Sequence, residues 1–152
     1  MTETSVNLAL SVWIRMLKVH NLVFREARTR MASYCTMAQF DVLAQLAREQ
    51  NGTTSAELSR RLLVTAGNLT GLLDRMEKAS LIFRKPDSKD RRVVWIHLTD
   101  KGNELAAKII PLHSKDISEI IGGLDVTELK SLRRLLDTLI DGIGSEKKKA
   151  KS

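Results

Sequence analysis

Apolar positions between residues 6 and 33 recur in two neighbouring series: Leu10, Ile14, Leu17, Phe24 and Met31, and Ala9, Val12, Met16, Val19, Val23 and Ala27. Both step by three and four, the period of an α-helix. They predict one long helix whose apolar surface is too wide for a single contact, so it must be covered on more than one side. A second helix is expected from Met37 to Glu49, with Thr36 as cap and Gln39 three residues on, as a capping box requires. A short third helix, Ser55 to Leu62, has Thr54 as cap and Glu57 at the reciprocal position. After the Leu63-Val64 turn, Thr65 caps a fourth helix, Ala66 to Ala79.

The period then changes. Leu81-Ile82-Phe83-Arg84-Lys85 reads as a strand, and the β-branched and aromatic run Val93 to Leu98 reads as its partner. Between them Pro86-Asp87-Ser88-Lys89-Asp90-Arg91-Arg92 is a polar hairpin tip. Thr99 caps a helix from Asp100 to Ile110, with a kink at Pro111 and a continuation to about Ile121. Gly122-Gly123 breaks the pattern, and Asp125 with Glu128 opens a last helix presenting Leu129, Leu132, Leu136, Leu139 and Ile143. The expected fold is mainly α with a small β-hairpin wing: a winged helix-turn-helix with a helical dimerisation domain. Residues 36–99 form the winged unit, 1–35 and 100–145 the dimerisation domain, and 146–152 (EKKKAKS) a disordered basic tail.

Composition narrows the function. The 152 residues are 43% hydrophobic and 28% charged, ordinary for a soluble globular protein. No run of about 18 apolar residues is available to cross a membrane. The first residues lack a basic start, an unbroken apolar core and a cleavage site, so no secretory leader is expected. One cysteine excludes an internal disulfide and fits a reducing cytoplasm. The net charge of +7 suits a polyanionic partner. It is unevenly placed: residues 54–101 hold ten basic and six acidic side chains, while 102–145 hold five and seven.

Short helix, tight turn, second helix and basic-tipped hairpin together describe a DNA reader. A helix fits the major groove, where base edges carry a distinct donor and acceptor pattern, and an arginine-tipped hairpin reaches the adjacent minor groove. The first turn of the fourth helix, Thr65-Ala66-Gly67-Asn68-Leu69-Thr70-Gly71, combines small residues for close approach with polar ones for hydrogen bonds. Read alone, it is equally an ordinary capped amphipathic helix; the wing tips the balance.

From Thr36 to Gly102 the chain resembles the MarR (multiple antibiotic resistance regulator) family. The carrying stretches are TMAQFDVLAQLA, TSAELSRRLLVTAGNLTGLLDRMEKASLIFRK and PDSKDRRVVWIHLTDKG, above all Asp90-Arg91-Arg92 with Leu98-Thr99 and Gly102. The resemblance implies a homodimeric repressor on a near-palindromic operator, released by a small effector. It implies a DNA-binding set of Thr54, Ser55, Thr65, Ala66, Gly67, Asn68, Thr70, Gly71, Arg75, Arg84, Lys89, Asp90, Arg91 and Arg92. Arg92 would enter the minor groove and Asp90 would hold the wing through an ion pair. Gly71 departs from the arginine frequent in the family and removes a possible guanine contact.

The resemblance also implies an effector pocket between the two domains, for an aromatic acid, a phenolic compound or an acyl thioester. Trp13, His20, Phe24, Arg28, Phe40 and Leu43 are its candidate walls; core packing is the competing reading for each. Some family members sense oxidants through a cysteine near the start of the first helix. Cys35 does not match that place, although Arg28 and Arg30 lie near enough in sequence to lower its pKa. Two other readings stay open: a thiol-based redox regulator through Cys35, and a ligand- or protein-binding module with weak DNA binding. Three scattered histidines give no metal-ligand spacing, and neither a phosphate loop nor a nucleophile elbow is present. No cofactor, metal, membrane contact or catalytic activity is expected.

Overall fold

The computed structural model describes residues 3–49, 51–90 and 92–149. The helices are α1 (Glu3–Met31), α2 (Met37–Ala47), α3 (Ser55–Leu62), α4 (Ala66–Lys78), α5 (Asp100–Ile120) and α6 (Val126–Lys149). Strands β1 (Thr53–Thr54), β2 (Ile82–Pro86) and β3 (Val94–Leu98) form an antiparallel sheet in the order β1-β3-β2. The chain divides after Ile117 into two compact units.

In the first unit, caps start the helices where the sequence places them. Thr36 Oγ1 accepts the Gln39 N–H at 3.2 Å, and Gln39 Oε1 accepts the Thr36 N–H at 2.9 Å. Thr54 and Thr65 accept the N–H groups of Glu57 and Asn68. The reciprocal half of the α3 box is not made. The Glu57 carboxylate turns instead to Arg60 and Arg61, each at 2.6 Å, because charge-assisted bonds outcompete a neutral amide. Those arginines hold Glu57 down at about 2, Arg60 first.

The core gathers Leu43, Leu58, Leu69, Leu73, Met76, Ile82, Ile96 and Ile109, all fully buried, from α2 through α5. Full burial contributes about 1.5–3 kcal/mol per such side chain. Helix α4 ends at Lys78 and the chain reverses at Ser80, in the left-handed region with φ 57°, where Leu81 N–H reaches back to the Met76 carbonyl at 3.0 Å. That reversal consumes Leu81, so β2 begins one residue later than expected. Gly102 passes so close that a Cβ there would lie 2.0 Å from the Leu81 carbonyl oxygen. Thr99 Oγ1 donates to the Ser80 carbonyl at 2.6 Å and accepts from Gly102 N–H at 3.0 Å. β1, two residues long and paired with Ile96 and Trp95, was not legible as a strand. α5 runs through Pro111 without a break. Helix α1 buries only Ala27 and Met31 among its described residues.

In the second unit, Asp125 and Glu128 form the expected reciprocal cap: Asp125 N–H donates to Glu128 Oε2 and Glu128 N–H to Asp125 Oδ1, both at 2.9 Å. α6 continues to Lys149, so the tail expected to be disordered from 146 is helical for four further residues. Glu and Lys are good helix formers and extend a helix already begun. The rest of that tail, 150–152, lies outside the described residues. Among the described residues no helix is long and apolar enough to cross a membrane.

Candidate nucleic-acid interface

Helix α4 has two faces. Leu69, Leu73 and Met76 pack into the core at 0–1% exposure. Thr65, Ala66, Gly67, Asn68 and Thr70 are exposed, and Gly71 is half-buried. Thr70 donates its hydroxyl proton to the Ala66 carbonyl at 2.9 Å, so its oxygen is left to accept. The first backbone N–H groups of a helix have no intrahelical partner and favour an anion; this turn presents them beside small side chains. Arg75, exposed, lies along the same helix, with Nη1 3.6 Å from where a Gly71 Cβ would stand. Ser55 is exposed at the start of α3, and Thr54 is half-buried and committed to its cap.

The wing is β2, β3 and the tip between them. Asp87 organises that tip: its carboxylate accepts from Lys89 N–H at 2.8 Å, Asp90 N–H at 3.0 Å and the Trp95 indole N–H at 2.9 Å. The Trp95 bond and the two backbone bonds hold its pKa below the ordinary value. Asp90 in turn accepts Arg92 Nε and Nη2, each at 3.0 Å, and the Arg92 backbone N–H at 3.0 Å. The ion pair anticipated for Asp90 is therefore made with Arg92 itself. The pair aims the guanidinium without covering it, since the Arg92 side chain is 90% exposed. Lys89 is exposed, and Arg91 lies outside the described residues. Asp87 and Trp95 were missed in the sequence; a carboxylate and an indole eight residues apart, across an unformed hairpin, give no local signal.

Arg84, expected among the DNA contacts, is engaged elsewhere. Its guanidinium meets Asp74 at 2.8 Å and Glu77 at 2.6 Å, both on α4, and its backbone N–H meets Glu77 at 3.1 Å. Burial pulls its pKa down, but the two carboxylates outweigh burial and raise it.

The effector candidates scatter. A groove of about 500 Å³ at the α1–α2 junction is lined by Phe24, Arg28, Ala32, Tyr34, Cys35, Thr36, Met37, Ala38 and Gln39. Of the six expected walls only Phe24 and Arg28 line it. His20 stacks on Phe24 with centroids 5.9 Å apart. Trp13 stands eleven residues before Phe24, about 16 Å up the helix. Phe40 is buried against His113 at 4.2 Å, and Leu43 has no exposed surface; both serve the core because the inward face of α2 is apolar throughout. Cys35 lines the groove, but burial and then the Asp41 carboxylate raise its pKa, and neither effect favours a thiolate. Arg28 and Arg30, close enough in sequence to lower that pKa, are not among the groups that shift it.

Helix, tight turn, exposed helix and cation-tipped hairpin define a winged helix-turn-helix protein. The MarR family model matches residues 35–94. The chain is 41% identical over 80 residues to YkoM of Bacillus subtilis, an HTH-type transcriptional regulator, covering 53% of this chain and 52% of that one. It is 33% identical to the transcriptional repressor NicR of Pseudomonas putida over 70% of this chain and 66% of that one. Among solved structures, wild-type MarR of E. coli in its apo form superposes with a TM-score of 0.70 at 30% identity, over 86% of this chain and 95% of that one. A cysteine-to-serine variant of the same protein with operator DNA superposes with a TM-score of 0.75 at 28% identity, over 91% and 99%. The chain belongs to the MarR family, a family of transcriptional regulators rather than enzymes. It spans about half to two thirds of the length of these two curated relatives.

Proposed function

We propose that this chain is a homodimeric DNA-binding transcriptional repressor that grips a near-palindromic operator and is released by a small aromatic acid. The observation that carries the reading is the exposed first turn of α4 in one compact unit with a wing whose Arg92 is held outward by Asp90. α4 lies in the major groove through Thr65, Asn68 and Thr70, Arg75 meets phosphate, and Arg92 enters the minor groove. The likeness to a relative solved with operator DNA supports the same use of these elements.

A twofold dimer sets two such helices one helical turn of DNA apart. Support for it is the uncovered apolar surface of each unit: Leu10, Trp13 and Ile14 in α1, Leu132, Leu135 and Ile140 in α6. The groove beside Arg28 suits the effector, with Phe24, Tyr34 and Met37 as apolar walls and a guanidinium for a carboxylate. Its volume is in the range of small-molecule sites. The ligand acts by favouring a spacing of the two α4 helices that mismatches DNA.

The test is DNA binding as a function of salt. A duplex selected by the wild-type chain from a random library should bind with a steep negative slope in log affinity against log salt, and a scrambled duplex should bind far more weakly. Equal, weak binding to both would leave a ligand- or protein-binding module. A thermal-shift screen of aromatic acids and their coenzyme A thioesters tests the groove, because a ligand of the native state raises its stability.

A further inference from the structure

We propose that Arg84 is a positioning residue that sets the angle between the recognition helix and the wing, and does not itself touch DNA. The inference rests on the DNA-binding reading above. α4 and β2 are joined by the Ser80 reversal, which fixes where β2 starts but leaves its direction to be set by side chains farther along. Arg84 supplies that constraint. It is the third residue of β2, paired with Ile96 across the sheet. Its guanidinium spans Asp74 and Glu77, one helical turn apart on α4. Glu77 also accepts the Arg84 backbone N–H, so strand backbone and side chain are both bound to the helix. Two residues beyond Arg84, Pro86 closes β2 and Asp87 begins the tip that aims Arg92. A change in β2 direction at Arg84 is therefore carried outward to Arg92.

The arrangement also explains why two carboxylates stand on a helix that faces a polyanion. On charge alone, Asp74 and Glu77 repel phosphate and should weaken binding. Their partner is a guanidinium only 26% exposed, whose donors are directed at these two carboxylates.

The experiment uses the full chain, the selected duplex and the scrambled duplex. In the Asp74→Asn/Glu77→Gln variant the carboxylates are lost and nothing basic is removed. Selected-duplex affinity is expected to fall about tenfold, with scrambled-duplex affinity unchanged or higher. Arg84→Met should lose affinity for the selected duplex without a change in salt slope, whereas a lost phosphate contact would reduce the slope by about 0.9. An amide variant that binds the selected duplex as tightly as wild type, or an Arg84→Met variant with a smaller slope, would overturn the proposal. Hydrogen exchange without DNA gives a separate reading. Residues 84–90 and 92–96 should exchange faster in the amide variant while α2 and α3 are unchanged; identical exchange overturns the clamp. A wild-type chain that ignores DNA sequence, with faster exchange in the variant, would sink the functional reading and leave the clamp standing.

Discussion

Helices α4 and α6 both carry apolar residues three and four apart, and the two meet opposite fates. In α4, Leu69, Leu73 and Met76 disappear into a core built from α2, α3, the sheet and α5. In α6, Leu132, Leu135, Leu139, Ile140 and Ile143 keep 43–66% of their surface in solvent. An amphipathic pattern states that one face of a helix needs cover, without saying what supplies it. α4 finds its cover within its own unit, so its outer face is free to be polar and to meet a charged ligand. α6 does not, and a second copy of the chain is the cover proposed for it.

The contrast can be broken at either helix. The largest effect is expected from Leu73→Ala, which empties a closed core and should cost about 2–5 kcal/mol of unfolding free energy, read by chemical denaturation; Leu139→Ala should cost well under half as much within the monomer. Next come Leu132→Asp and Leu136→Asp. Each should weaken self-association by about 2 kcal/mol or more, the scale of a buried interface anchor, giving monomers or aggregates by light scattering. A dimer of unchanged mass from both would move the interface away from α6. Arg92→Ala should weaken selected-duplex binding by about 1–3 kcal/mol while leaving the melting temperature unchanged; wild-type affinity in that folded variant would remove the wing from the interface.

The smallest effect concerns pH. Asp87 and Asp90 have lowered pKa values, through the Trp95 indole and the Arg92 guanidinium respectively. A depressed folded-state carboxylate stabilises above its ordinary value, near 4, and that contribution is lost as pH falls through the lowered value. The wing tip should thus be indifferent to pH between about 6 and 8 and loosen only in acid. Trp95 fluorescence in a Trp13→Phe background reads this directly. A change in that signal near neutrality would mean that another group governs the tip.

The elements legible in advance were those with local signals. Thr36, Thr54, Thr65, Thr99 and Asp125 start their helices as their residue types require, and the hairpin was visible from its β-branched run. β1 was not, since two threonines become a strand only when β3 is there to pair with them. Arg84 shows the same limit for the site. The family resemblance places it in the DNA-binding set, and only the folded chain brings its guanidinium to Asp74 and Glu77, ten and seven residues earlier. For Phe40 and Leu43 pocket wall and core packing compete in the sequence, because an aromatic and a leucine suit both; burial decides for the core.

Periodicity and capping chemistry act over three or four residues, so the order of helices, the turn before α4 and the basic character of the wing follow from the chain as written. That Arg84 is tied down, and that Asp87 and Trp95 shape the tip carrying Arg92, follows from pairings across seven to ten residues. Those pairings exist only after β2 has folded back along α4; that closure ties Arg84 to Asp74 and Glu77, while Arg92 keeps its side chain 90% exposed.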